Sequence, residues 1–117
     1  IKENRIHACG GLAAAIARAR TNRPDLPLIT EAETLEEVRV ALEANVDVLL
    51  LDNFTLAQIP QAIALRSTLP HCTTQLEVSG NVDLHNIRAY AETGVDRISI
   101  GGLTKHVKAV DLSMRFV

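Results

Sequence analysis

The chain has 117 residues, the length of one small domain, and its 47% hydrophobic and 22% charged residues are typical of a globular protein. A net charge of −2 and an aromatic content of 3% argue against nucleic-acid binding, which favours a basic surface and stacking aromatic rings. No apolar run approaches the roughly 18 residues that a membrane span requires, so we expect no membrane partner.

The first elements in chain order are the end of a strand, a helix and a second strand. The opening IKEN has no Met and reads as the end of an apolar strand, so we expect the sequence to be a piece of a longer protein. The segment GLAAAIARAR, residues 11–20, is rich in helix-forming Ala, Leu and Ile and predicts a helix of about 10 residues. Residues 26–33 then predict a strand.

The next unit begins with a helix that has a clear start and stop. Thr34 and Glu37 have the spacing of a capping box, and Asn45 is a suitable C-terminal stop. The apolar residues of this helix fall on one face: Leu35, Val38, Ala41 and Leu42. The strand that follows covers residues 46–52.

A third helix is predicted over residues 55–67 and a strand over 74–80. The helix opens with Thr55 and Gln58, again spaced as a capping box. Pro60 removes a backbone donor, so the helix either tolerates this residue in its first turns or begins later.

The last predicted helix runs from a cap at Asp83 to Gly94, and a fourth strand covers residues 95–102. Its apolar stripe consists of Leu84, Ile87 and Tyr90. The order β-α-β-α-β-α-β predicts parallel strands with right-handed crossovers, in an α/β barrel or an open sheet. The strands are nearly continuous apolar runs, as expected where helices cover a parallel sheet.

Carboxylates recur at the expected carboxyl ends of these strands, the edge where α/β proteins carry their active sites. The residues at successive strand ends are Glu31 and Glu33, Asp52 and Asn53, Glu77 and Ser79, and Gly101 and Gly102. Intervals of 21, 25 and 24 residues separate Glu31, Asp52, Glu77 and Gly101, about one βα unit each, so we expect them to meet at one rim. A single carboxylate there could be a helix cap, but three in succession favour a site for a ribose diol, a metal ion or a lysine.

Two small-residue segments, VSGN at 78–81 and GGLTK at 101–105, predict phosphate-binding loops. Glycine lets backbone N–H groups turn toward an anion, and the helix after VSGN adds a partial positive charge. Simple tight turns remain the alternative for either loop.

The remaining reactive residues give weaker signals. Lys2 could form a surface salt bridge or belong to the site. The four histidines, His7, His71, His85 and His106, lack ligand spacing and are expected on the surface or in packing roles. Cys9 and Cys72 lie far apart without metal-type spacing, and we expect reduced thiols in a cytoplasmic protein.

Several segments, taken in order along the whole chain, resemble quinolinate phosphoribosyltransferases. They are IKEN, TEAETLEEV, LLLDNF, LEVSGNV and YAETGVDRISIGGLTKHVKAVDLSMRF. The resemblance implies an α/β fold, the C-terminal half of an open seven-stranded α/β barrel with parallel strands. It also implies that residues 1–117 form one segment that lacks the N-terminal domain and the early barrel strands.

The resemblance implies an activity as well. The family joins quinolinate to phosphoribosyl pyrophosphate with Mg2+, releases pyrophosphate and CO2, and gives nicotinate mononucleotide for NAD biosynthesis. Members are typically cytoplasmic homodimers. Because its early segments would be missing, this chain alone is expected to be inactive.

Matching motifs carry the family's site residues onto this sequence. Lys2 corresponds to a lysine that faces the substrate carboxylates, and Glu31 and Asp52 to acidic residues at the ribose hydroxyls. These three are the expected catalytic residues; no residue is a direct metal ligand, and Mg2+ arrives with pyrophosphate near Glu31 and Asp52. The substrate-binding set is Lys2, Glu31, Asp52, Glu77, Ser79, Gly80, Gly101 and Lys105, of which Lys105 stands where some members have His. Arg5 departs from the usual His after KEN.

Two alternatives remain open from the sequence. The chain could belong to a paralogous molybdenum-transport-associated protein with a different phosphoribosyl or phosphate chemistry. It could also be a non-catalytic, phosphate-binding fragment, because half a barrel leaves open strand edges that invite pairing.

Overall fold

The computed structural model describes residues 1–116, except the side chain of Glu3, so the last residue of the predicted 1–117 segment lies outside it. Its sheet is parallel, with the strands in sequence order: β1 (Ile29–Ala32), β2 (Val48–Asp52), β3 (Gln75–Ser79) and β4 (Arg97–Ile98). The predicted parallel α/β architecture is confirmed. Ile1 also lies beside β1, because the Glu31 N–H donates to the Ile1 carbonyl at 3.1 Å.

Helices connect the strands. They are α1 (Glu3–Cys9), α2 (Leu12–Asn22), α3 (Leu35–Glu43), α4 (Ile59–Thr68), α5 (Ile87–Glu92) and α6 (Gly102–Lys105). The short helices α1 and α6 were not predicted. Within the described residues no helix has the length and apolar character needed to cross a membrane. Cys9 and Cys72 are free thiols, as expected.

The strands are shorter than predicted, for local reasons. Pro27 has no N–H, and the Leu28 N–H is taken by the Asp47 carboxylate at 2.7 Å, so β1 begins at Ile29 rather than 26. The predicted strand 95–102 is reduced to the two residues of β4. Its ladder ends where the Ser99 N–H donates to the Val78 carbonyl, and the chain then turns into α6.

The predicted helix boundaries are right in α3 and wrong in α5, and of the two alternatives left open for α4 the later start is confirmed. Thr34 and Glu37 form the complete capping box of α3, and Asn45 follows it with a φ of 47°. Helix α4 begins at Ile59 rather than 55, with Pro60 in its first turn, where a missing N–H costs no helical bond. The predicted helix 83–94 shortens to Ile87–Glu92 because a separate turn precedes it.

The two faces of the sheet differ in burial. On one face, the side chains of Leu49, Leu51, Leu76 and Val78 are fully buried. They form one hydrophobic cluster with Val38, Ala41 and Leu42 of the predicted α3 stripe and with Ile59 and Ala62 of α4. The alternate residues of the strands point to the opposite face, where carboxylates and serine are found. The sequence pattern alone suggested strands that are apolar on both faces. The structure shows that they are not.

Asp47 ties the start of β2 to its neighbours and makes stability depend on pH. Its carboxylate accepts from the Leu28 N–H at 2.7 Å and lies 3.1 Å from an Arg20 nitrogen. The Leu28 hydrogen bond is the main cause that lowers the Asp47 pKa, and Arg20 adds to it against partial desolvation.

A group whose pKa is lower when folded contributes stability above its unfolded pKa, about 3.9 for Asp, and loses it as pH falls through the folded value. We expect Asp47→Asn in the full-length protein to lower the urea midpoint at pH 7. As the pH falls below about 4, the variant should lose less of its free energy of unfolding than the wild type does. Identical pH profiles for the two proteins would contradict this role.

Candidate active site

The strand register determines which site residues share a face. Glu31 of β1 pairs with Leu50 of β2, and Leu50 pairs with Glu77 of β3. Asp52 pairs with Ser79, two residues further along the strands. Glu31 and Glu77 thus lie in one row of side chains across the sheet, and Asp52 and Ser79 lie in the next row toward the carboxyl edge. Because side chains two residues apart on a strand point the same way, these carboxylates and Ser79 all lie on the face opposite the helical core.

A cleft of about 890 Å³ opens at the carboxyl edge of β2, β3 and β4. It brings together five residues of the predicted set: Asp52, Ser79, Gly80, Gly101 and Lys105. Further lining residues are Asn53, Asn81, Val82, Asp83, Ser99, Ile100, Gly102 and His106. Asp52 contributes a carboxylate at the end of β2. Gly80 follows β3, and Gly101 and Lys105 follow β4.

Glu31 and Glu77 do not line this cleft, so the expectation of a single rim is wrong for these two residues. They lie one row behind Asp52, which is about 6.6 Å along a parallel strand. Glu31 instead lines a smaller cavity of about 110 Å³ with Glu33 and Glu37. The intervals along the sequence did not reveal the offset, because they contain no information about strand register.

Lys2 connects the two rows electrostatically. Its ammonium nitrogen lies 2.7 Å from a Glu31 oxygen, and its side chain is 79% exposed. The hydrogen bond and the charge of Glu31 raise the pKa of Lys2, and the charge of Asp52 contributes to the same shift. Lys2 thus stays a cation near both carboxylates, with its nitrogen open to a further anionic group.

The carboxylate of Glu77 is used within the sheet. Its residue is 8% exposed; one oxygen accepts from the Ser99 hydroxyl and the other from Arg97 Nε at 3.0 Å. Both oxygens therefore have protein partners. Glu77, predicted as substrate-binding, supports Ser99 at the cleft wall instead of facing the cleft itself.

The two predicted glycine loops differ in backbone conformation. Gly80 has a φ of 86°, a region that residues with side chains rarely adopt. Gly101 has an ordinary φ of −75°, and a Cβ there would make ordinary van der Waals contact with Lys105 Cε at 3.6 Å. The expected conformational need for glycine thus holds at Gly80 and not at Gly101.

Two N–H groups in the turn before the helix that follows VSGN have a protein carboxylate as partner. The Asp83 carboxylate accepts from the N–H groups of His85 and Asn86, at 2.8 and 3.1 Å, in the turn before α5. These two donors are therefore used within the chain, and the partial positive charge of the α5 N-terminus at an anion stays a prediction.

Comparison with known proteins identifies the family. The sequence-family model of the quinolinate phosphoribosyl transferase C-terminal domain matches residues 1–115. The chain belongs to this family. The curated relatives of the family include the nicotinate-nucleotide pyrophosphorylase [carboxylating] of Mycobacterium leprae, 35% identical over 97% of this chain and 40% of that protein. A probable nicotinate-nucleotide pyrophosphorylase [carboxylating] of Methanocaldococcus jannaschii is 40% identical over the whole chain and 42% of its own length.

Solved structures of the family agree in fold. The nicotinate-nucleotide pyrophosphorylase of Francisella tularensis superposes with a TM-score of 0.85 at 42% identity, over 97% of this chain and 39% of that one. NadC of Streptococcus pyogenes gives a TM-score of 0.85 at 37% identity, over 99% and 40% of the two chains. The chain spans about 40% of the length of the curated relatives it matches.

The predicted substrate-binding set omits several residues that line the cleft. Asn53 and Asn81 were predicted at a strand end and in the VSGN loop without an assigned role, and Ser99 and His106 were not predicted as site residues. One available signal was an asparagine directly after a strand or glycine, since Asn tolerates a positive φ; Asn53 and Asn81 have φ values of 56° and 52°. His106 directly follows the predicted GGLTK loop, and this position was the available signal for it.

Proposed function

We propose that the full-length protein carrying this chain transfers the phosphoribosyl group of phosphoribosyl pyrophosphate to quinolinate. The products are nicotinate mononucleotide, pyrophosphate and CO2. The observation that carries the proposal is the cleft, in which Asp52 faces glycine-rich and lysine-bearing loops, in a chain that matches the family along 115 residues. A carboxylate suits ribose hydroxyls, and small residues with a lysine suit a phosphate.

The two ends of the cleft divide the substrate between them. The 5′-phosphate lies against Ser79, Gly80 and Gly101, with the Lys105 ammonium supplying opposite charge. The ribose lies toward Asp52, and Lys2 and Glu31 follow on the same face. Lys2 faces a carboxylate of quinolinate, which its exposed ammonium can bind as an ion pair.

Charge at the sugar explains the carboxylate. When the bond from ribose C1 to pyrophosphate breaks, the electron pair leaves with pyrophosphate and the sugar acquires oxocarbenium character, as in glycoside hydrolysis. A carboxylate at about 4 Å and an effective dielectric of 20 interacts with a unit charge by roughly 4 kcal/mol. Only the part of that interaction that grows toward the transition state accelerates the reaction.

The second step follows from the first. The quinolinate nitrogen forms the new bond to C1 and becomes positively charged. The bond from C2 to its carboxylate then breaks, CO2 leaves, and the electron pair stays at C2 until a proton arrives. The positive ring nitrogen stabilises that electron pair, so the protein's main task is to bind and align the dicarboxylate.

Mg2+ fits this arrangement as a companion of pyrophosphate. Among the described residues there is no group of three or more His, Cys, Asp or Glu side chains suited to hold a metal ion. Mg2+ commonly uses one or two carboxylates together with substrate phosphates and water, and Glu31 and Asp52 provide carboxylates on one face. When bound, it neutralises charge on the leaving pyrophosphate.

The test is product formation by the full-length protein. We expect quinolinate, phosphoribosyl pyrophosphate and Mg2+ to yield nicotinate mononucleotide, detected by chromatography, only when all three are supplied. A folded protein that makes none would refute the proposal. Phosphoribosyl pyrophosphate consumption without this product would favour the molybdenum-transport-associated alternative, and binding alone a non-catalytic phosphate-binding role.

The family resemblance also supports a cytoplasmic homodimer that binds no nucleic acid, and the net charge of −2 agrees with the last point. Sedimentation of the full-length protein tests the dimer. We expect this chain alone to be inactive, because it spans about 40% of the length of its relatives.

A further inference from the structure

Asn53 contacts both sides of the cleft through one backbone and two side-chain hydrogen bonds. Its N–H donates to the Ser79 carbonyl at 3.0 Å. Its side-chain nitrogen donates to Asp52 Oδ2 at 3.2 Å, and its side-chain oxygen accepts from Asn81 Nδ2 at 3.0 Å. Because a carboxylate can only accept, the Asp52 bond also determines which way the Asn53 amide faces.

The turn at Gly80 is packed directly against this amide. A Cβ added at Gly80 would lie 2.5 Å from Asn53 Oδ1 and 3.1 Å from the Asn53 backbone nitrogen. The absence of a side chain at residue 80 thus makes room for the Asn53 amide. Residues 52–53 and 79–81 are therefore in contact at backbone level, not merely neighbours in the sheet.

Hydrogen bonds continue beyond Asn81 along the same wall. The Asn81 carbonyl accepts from Asn86 Nδ2 at 2.9 Å, and Asn86 Oδ1 accepts from the Asp83 N–H at 2.9 Å. The turn that Asn53 contacts is thereby supported from its far side as well.

We propose that Asn53 is a positioning residue that holds the Asp52 carboxylate and the Gly80–Asn81 turn in one fixed relation. This inference rests on the proposed function, in which Asp52 serves the ribose and the turn serves the 5′-phosphate. One Asp52 oxygen is held by Asn53, which sets the direction of the other. Asn53 acts on the reaction through Asp52 and not by touching the reacting atoms.

Asparagine combines two properties that the position needs. It tolerates the φ of 56°, which β-branched and bulky residues do not. Its amide offers a donor to one neighbour and an acceptor to the other, whereas aspartate would place a second negative charge beside Asp52. Glycine would keep the backbone conformation and lose both side-chain bonds.

Asn53→Gly in the full-length protein tests this role. Misplacing a catalytic group by about 1 Å costs up to about 100-fold in rate, so we expect kcat to fall about 10- to 100-fold. In an Asp52→Ala background the same change should lower kcat by a smaller factor than in the wild type, because the carboxylate that Asn53 positions is gone and only its bond to the turn is lost. Asn53→Asp, which keeps the size and the acceptor, should lose kcat at least as strongly as Asn53→Gly.

Asn45→Gly is the matched control. Asn45 also has a positive φ, 47°, and its side-chain oxygen accepts from the Thr73 N–H at 3.1 Å, but it lies at the opposite edge of the sheet. We expect that variant to keep the wild-type kcat and KM.

The outcomes separate the two proposals. Wild-type protein that makes no nicotinate mononucleotide refutes the proposed function. An active wild type with unchanged kcat in Asn53→Gly, or with equal losses from Asn53→Gly in the wild-type and Asp52→Ala backgrounds, overturns the role of Asn53.

Discussion

Asp52→Asn is expected to lower kcat for nicotinate mononucleotide formation by about 100- to 1000-fold in the full-length protein. The substitution keeps the size of the side chain and removes its charge. A loss of about 2.7 to 4 kcal/mol in transition-state stabilisation corresponds to that range. The charge interaction between a carboxylate and a sugar cation is roughly 4 kcal/mol, so a loss of about 1000-fold in kcat is the upper limit.

The fold should survive this change. Asp52 lies at the carboxyl edge of β2, is only partly buried, and faces the cleft rather than the hydrophobic core. Circular dichroism and the thermal midpoint should therefore match the wild type while the steady-state rate falls.

Asp25→Asn provides the same chemical change at a site without a catalytic role. Asp25 pairs with Arg23 at 2.8 Å in an exposed loop before β1, and such surface pairs contribute little. That variant should keep wild-type kinetics. Near-normal turnover in Asp52→Asn would count directly against a role of this carboxylate at the sugar.

Gly80→Ala should reduce both stability and activity. A side chain at a φ of 86° costs about 1–2 kcal/mol, and the new methyl group would meet Asn53 at 2.5 Å from its oxygen and 3.1 Å from its backbone nitrogen. The turn must move away from β2, and a displacement of about 1 Å in a binding loop can cost about 100-fold in rate. We expect this loss in kcat/KM for phosphoribosyl pyrophosphate, together with a lower free energy of unfolding in urea.

Gly94→Ala separates the two causes. Gly94 has a φ of 85°, but a Cβ there would meet nothing within 4 Å. It should show the backbone cost alone and keep the wild-type kinetics. In Gly80→Ala the added loss of stability measures the contact with Asn53, and equal losses of stability in the two variants would disprove that contact.

The combined variant Asn53→Gly with Gly80→Ala adds a second check. Removing the Asn53 side chain relieves the contacts at 2.5 and 3.0 Å and leaves only the backbone nitrogen at 3.1 Å. Its free energy of unfolding should therefore be higher than the sum of the two single losses predicts.

Local patterns predicted the parts of the fold that depend on local physics. The capping box of Thr34 and Glu37 and the stop at Asn45 were predicted from spacing, because each satisfies backbone groups within a few residues. The stripe of α3 was predicted for a similar reason, since helical periodicity brings Val38, Ala41 and Leu42 onto one buried face.

Tertiary contacts decided what these patterns left open. The start of β1 depends on a hydrogen bond between Leu28 and Asp47, 19 residues apart. The partners of the Glu77 carboxylate are Arg97 of β4 and Ser99 directly after that strand, so a carboxylate predicted to bind substrate is bonded within the protein. Spacing along a chain cannot reveal such partners.

By itself, the sequence determined the order of the strands and of the helices α2 to α5, the parallel architecture, the family, and the carboxylate and glycine residues that the cleft uses. These follow from local periodicity, capping and motif, which short segments carry on their own. The tertiary structure alone decided that Asp52 pairs with Ser79 while Glu31 and Glu77 lie one row behind, and that Asn53 joins two turns. The physical reason is that strand register and side-chain partners arise from contacts between distant segments, and a shift of one residue reverses the face on which a side chain lies.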